Sequence, residues 1–184
     1  MYRIMADMQN YEFVVSQKLN GKWLAYRILA IVGYVLFVVG FFILGTTLFK
    51  FFLPMIALTP IFLWMLIFFT WRYTRPDYEL TTVSNSLRFT IVYGNRTRRP
   101  QLEVEFSRMR KIAPLDEAGE AEIKRYAPEK VYCAASSMDA RDLYYALWED
   151  DKKTCVLYFE ATTHLLKICK YYNSAATVVT PVSR

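Results

Sequence analysis

The chain has 184 residues, 54% hydrophobic and 17% aromatic, with a formal net charge of +6. From residue 72 onward, 18 Lys and Arg stand against 15 Asp and Glu, a balance of +3 that argues against a nucleic-acid-binding domain. The three cysteines, Cys133, Cys155 and Cys169, are an odd number without close spacing and His164 is the single histidine, which argues against a disulfide framework or a metal cluster and reads as reduced core thiols.

In chain order, residues 1–22 form an N-terminal segment with one short strand pattern, Tyr11 to Val15, ending at the turn pair Asn20-Gly21. An isolated strand is unstable, so it either pairs with a later domain or lies on a membrane surface. Residues 23–71 then read as a transmembrane hairpin. Ile28 to Phe49 and Phe51 to Trp71 are 22 and 21 residues without a charge, separated by Lys50 alone. About 20 apolar residues span a bilayer core, and runs apolar on every face do not suit a soluble helix pair. Their length and the polar residues before them also argue against a cleaved signal peptide.

Trp23, Tyr26 and Arg27 on one flank and Trp71, Arg72 and Tyr73 on the other are expected interface anchors, aromatic rings and snorkelling cations at headgroup level. Arg3, Lys18, Lys22 and Arg27 before the first run, with Arg72 and Arg75 after the second, outweigh Lys50 in the connection. Both termini are therefore expected on the cytoplasmic side of a multi-pass protein. Gly33 and Gly40 lie seven apart, on roughly one helix face, and either let helices approach closely or are merely the glycines common in membrane helices. Pro54 fits a first helical turn and Pro60 is expected to kink the second helix.

After Arg72 the period becomes two. Tyr78 to Thr81, Leu87 to Tyr93 and Leu102 to Phe106 read as half-buried antiparallel strands joined by Ser84-Asn85-Ser86 and Gly94-Asn95, with a short strand at Arg110 to Ala113. Asp116 to Tyr126 reads as an exposed helix, acidic first and basic last. Strands resume at Val131 to Ser136, Leu143 to Trp148 and Thr154 to Glu160. Tyr144, Tyr145 and Trp148 are expected in the core and rim of the domain, and would mark a partner site if exposed together. Thr162 to Tyr172 is amphipathic, with Leu165, Ile168, Cys169 and Tyr172 on one face. The expectation for residues 72–173 is a small antiparallel β-barrel whose open mouth a C-terminal helix covers, so the whole is an α+β membrane protein. Residues 174–184 are expected to be mobile.

The order of two spans, then a Tyr-x-Leu-Thr strand at Tyr78 to Thr81, a hairpin ending at Gly94, a basic turn and the Ser-Arg-x-x-x-Ile stretch from Ser107 to Ile112, resembles bacterial membrane proteins with a pleckstrin-homology-like (PH-like) domain. The ending from Lys153 to Asn173 is similar to Firmicutes membrane proteins of this layout. The resemblance implies a PH-like barrel at the bacterial plasma membrane and carries over no catalytic residue. The loop at Val83 to Ser86, where phosphoinositide-binding relatives place cations, contains none.

The basic residues Arg96, Arg98 and Arg99, with Arg108, Arg110 and Lys111 further along, are the candidate lipid or partner surface, each worth about 1 kcal/mol near anionic headgroups, or else a solvated hairpin tip. His164 reads as a surface residue. No catalytic, metal-binding or cofactor-binding residue is indicated, and no nucleic-acid or small-molecule partner. The leading expectation is a non-enzymatic, membrane-anchored interaction or scaffold module with the lipid bilayer and a protein as partners, a strand edge or a barrel–helix groove taking the protein. The alternative is a structural subunit assembled through the hairpin, and an enzyme is the least expected class.

Overall fold

A computed structural model describes residues 10–17, 21–48, 52–74, 76–94 and 97–183. The chain divides into two compact units, one made of the N-terminal strand and the chain from Asp77 onward, the other of segment 19–76. The N-terminal strand, β1 (Asn10–Ser16), therefore belongs with the later strands. It runs antiparallel to β2 (Pro76–Val83), with Ser16 opposite Asp77. Pairing settles the position of Tyr11 to Val15: the strand is stable because a neighbour satisfies its backbone. Topologically, segment 19–76 is an insertion between two adjacent strands.

The first sheet has the order β1-β2-β3-β4, where β3 is Ser86–Tyr93 and β4 is Thr97–Glu105. The second comprises β5 (Met109–Pro114), β6 (Lys130–Ala134), β7 (Leu143–Asp150) and β8 (Lys153–Glu160), in the order β5-β7-β8-β6. The expected closed barrel is thus corrected to two four-stranded sheets, and the second is not wholly antiparallel because β6 runs parallel to β8. The cause lies in the connection. A helix between β5 and β6 carries the chain over the sheet to its far edge, and such a crossover delivers a strand in parallel where a tight hairpin cannot.

That crossover helix, α3 (Glu117–Tyr126), follows the two helices of the inserted segment, α1 (Lys22–Leu48) and α2 (Phe52–Thr70). Asp116 caps α3 by accepting from the Gly119 N–H at 2.7 Å, acids occupy its first turn and bases its last, and Ala127 ends it in the left-handed region. Ile123 packs with Ala113, Tyr145, Leu147 and Val156 on the outer face of the second sheet. The approach is close. A Cβ on Gly119 would lie 2.7 Å from Tyr145 Cε1 and 3.2 Å from the Pro114 carbonyl oxygen.

The main core lies between the inner faces of the sheets and the C-terminal helix α4 (Thr163–Tyr172), joining Leu80, Phe89, Phe106, Tyr144, Trp148, Leu157, Leu165 and Ile168 among others. Covered on both faces, β7 is buried from Leu143 to Trp148, as a continuous apolar strand should be. Thr162 caps α4. All three cysteines are free thiols, with Cys155 and Cys169 buried and Cys133 partly so.

In the inserted segment, one helix among the described residues, Trp23–Thr47, is long and apolar enough to cross a membrane, and the apolar stretch of α2, Ile56–Thr70, is shorter. The two helices meet where Phe41 packs on Phe62 with centroids 5.6 Å apart and where the Tyr34 and Thr70 hydroxyls bond. Gly33 and Gly40 are not part of that contact, since a Cβ at either would meet nothing within 4 Å. Pro60 lies inside α2.

Residues 174–183 lie along the domain, beside β5.

Candidate functional site

Strand β5 is an edge strand: β7 takes one side, and the chain's own tail takes the other. The path begins at Asn173, which ends α4. Its Nδ2 donates to the carbonyl oxygens of Phe106 and Met109, both at 2.8 Å, and its Oδ1 accepts from the Ala176 N–H at 3.2 Å. The tail then lies beside β5. The Ile112 N–H donates to the Ala176 carbonyl and the Val178 N–H to the Ile112 carbonyl, each at 2.8 Å, forming a parallel bridge between Ile112 and Thr177.

Farther on, the Thr180 N–H donates to the Tyr144 hydroxyl at 3.0 Å, and the Ser183 N–H reaches both Asp142 carboxylate oxygens at 3.2 Å. Between these anchors, Val179 to Val182 run past Thr163, Leu166 and Lys167 of α4 and leave a cavity of ≈ 380 Å³ with a mostly apolar lining. Tyr11 closes the neighbouring corner, its hydroxyl bonded to Thr162 at 2.9 Å and its ring 4.6 Å from that of His164. The tail thus lies extended, held by backbone bonds at β5 and facing an apolar wall of α4.

Four of the basic residues singled out in the sequence, Arg98, Arg99, Arg110 and Lys111, each have a partner of their own. Arg96 lies outside the described residues. Arg98 spans the first sheet to reach Glu79 at 3.4 Å and Glu12 at 3.9 Å, and Arg99 lies over the Tyr93 ring at 5.8 Å. Arg108 is exposed in a short 3-10 turn, Phe106–Arg108. Arg110 pairs with Glu149 at 2.9 Å and Lys111 with Glu122. The loop at Val83 to Ser86 is the second strand connection, because β1 makes the first one the inserted segment.

Lys111, Glu122 and Tyr145 form one network that ties α3 to the sheet. The hydrogen bond from Lys111 above all, aided by that from Tyr145 at 3.0 Å, holds the Glu122 carboxyl below its ordinary range. Burial first, then Glu122 itself, pushes the Tyr145 hydroxyl up. A depressed carboxyl pKa contributes stability that is complete above the unfolded value near 4.5 and is lost as pH falls through the folded value. Both side chains of the ion pair are 38% exposed, so solvent screening keeps the contribution below about 1 kcal/mol. Acid titration from about pH 5 to 3 should therefore destabilise the native chain slightly more than Glu122→Gln, followed by thermal melting at each pH. Equal slopes would remove Glu122 from that account.

Burial raises the Cys155 pKa and pushes that of Cys169 up to about 12, which makes these two thiols poor nucleophiles. Among the described residues, no three His, Cys, Asp or Glu side chains come together as a metal site.

Two four-stranded sheets that share one core with a C-terminal helix make an α+β domain. The chain belongs to the family described as Bacterial PH-like domain (DUF6106), whose model matches residues 9–178, a stretch running from just before β1, through the inserted segment, to the bridge with Ile112. No curated protein and no solved structure matches it. A PH-like domain points to a non-catalytic interaction module.

Proposed function

We propose that the protein is a membrane-anchored adaptor whose groove between β5 and α4 receives an extended segment of a partner protein in place of the chain's own tail. The observation that carries this reading is the groove's present occupant. Residues 174–183 lie extended against the edge of β5 and the wall of α4, which supports this reading, and edge addition is a recurrent recognition mode in which backbone bonds give affinity and side-chain pockets give selectivity.

Anchoring is argued from segment 19–76, whose two runs are apolar on every face and flanked by cations. Because Ser16 pairs with Asp77, the segment leaves and re-enters the sheet at neighbouring positions, which suits α1 and α2 crossing the bilayer out and back with both termini cytoplasmic. The competing reading, a subunit of a larger membrane complex, is favoured by the open Gly33 and Gly40 positions, which leave space for a further helix.

The test uses the full chain in detergent, truncated after Asn173, and a fluorescent peptide of residues 174–184. The truncated chain is expected to bind the peptide, with raised anisotropy, and the native chain is not, because its own tail is present at high effective concentration. A truncated chain that melts cooperatively yet ignores the peptide would sink the groove and leave the inserted segment as the interface.

A further inference from the structure

Segment 19–76 carries five cations, Lys22, Arg27, Lys50, Arg72 and Arg75, and no Asp or Glu, so it contains no carboxylate to neutralise them. Arg27 is the cation whose setting is best defined. It stands in the second turn of α1, with its guanidinium carbon 5.1 Å from the centroid of the Trp71 ring, which opens the 3-10 turn after α2. Its Nε is buried and finds no hydrogen-bond partner among the described residues. A donor removed from water without an acceptor is destabilising, and the stack on the indole is the contact that holds the group there. Stacking uses the face of the guanidinium and leaves its planar N–H fork, which matches two oxygens of one phosphate better than an ammonium can. Trp23 stands one turn earlier on the same side of α1, its ring 6.0 Å from that of Tyr26.

We infer that Arg27, held on Trp71, is a binding site for the phosphate group of an anionic lipid headgroup, supplying the counter-charge the segment lacks. The inference rests on the anchoring reading above. A headgroup phosphate bound here would tie the beginning of α1 to the end of α2 through one ligand, so the lipid would act as part of the anchor.

The experiment is native mass spectrometry of the full chain in detergent with added phosphatidylglycerol, phosphatidylcholine or inorganic phosphate. The native chain is expected to retain phosphatidylglycerol in preference to phosphatidylcholine. Arg27→Gln should lose roughly five- to tenfold of that retention, Arg27→Lys should lie between, and Trp71→Leu should weaken it with the charge left in place. Circular dichroism of each variant checks that the helices persist. Unchanged retention in folded Arg27→Gln overturns the site, and binding of inorganic phosphate with indifference to lipid overturns the headgroup assignment. Carbonate extraction of the native chain from membranes separates the two levels: release into the soluble fraction would refute anchoring itself, whereas retention with lipid-blind Arg27 refutes only the site.

Discussion

Replacing Trp148 by alanine is expected to destabilise the PH-like domain by about 3–5 kcal/mol, because a large ring is deleted from a site that cannot collapse around the space. Trp148 is 2% exposed. It stands on β7 opposite Met109 of β5 and Cys155 of β8, its ring stacks on Tyr132 of β6 at 6.0 Å, and its carbonyl accepts from the Tyr126 hydroxyl of α3 at 3.0 Å. One side chain thus touches or faces every strand of the second sheet, while its backbone holds the crossover helix. In thermal melts of the detergent-solubilised chain, read by near-ultraviolet circular dichroism, the domain transition should fall by more than about 10 °C. Val131→Ala, on the exposed face of β6 at 61%, should leave it within about 2 °C. A small shift for Trp148→Ala would mean that β7 is not the strand on which this sheet is built.

The same strand explains what was legible in the sequence. The run Leu143 to Trp148 carries aromatics at adjacent positions, and burial of both faces accounts for it; the apolar runs of segment 19–76, the β3 hairpin and the Thr162-capped helix are equally local signals. Closure was not local. Whether eight strands close into one barrel or remain two sheets depends on where β6 inserts, and the short helix from Glu117 to Tyr126 does not announce in its own residues that it crosses a sheet. The edge groove was hidden for a related reason. Residues Ser174 to Ser183 are small and β-branched with no amphipathic period, so they read as a tail, although a backbone bridge to Ile112 and the side chains of Asn173, Tyr144 and Asp142 hold them. Conversely, Arg98, Arg99, Arg110 and Lys111 look like one basic cluster in the sequence, and their alternation across strands sends them to separate acidic or aromatic partners.

Asn173→Ala should loosen the groove from its root. The amide joins the 3-10 turn before β5, the end of α4 and the start of the tail, and alanine removes both donors to the Phe106 and Met109 carbonyls and the acceptor for the Ala176 N–H. The Phe106 carbonyl keeps the Met109 N–H, so the loss falls on the Met109 carbonyl and the Ala176 N–H; part-buried groups left without a partner cost about 1–3 kcal/mol each, less whatever water recovers, and a net loss of about 1–3 kcal/mol is expected. The loss should be uneven. Hydrogen exchange should accelerate first at the Val178 and Thr180 amides, whose acceptors are the Ile112 carbonyl and the Tyr144 hydroxyl, while the amides of β7 and β8 keep their protection. Trp148→Ala should do the reverse, lowering protection throughout the second sheet with no special effect on the tail. The full-length Asn173→Ala chain should also begin to bind the labelled 174–184 peptide, since an unrooted tail opens more often and gives the groove to a competitor in proportion to the time it is open. Unaltered exchange at Val178 in that variant would show that the bridge to Ile112 holds the tail unaided, and that Asn173 only ends the helix.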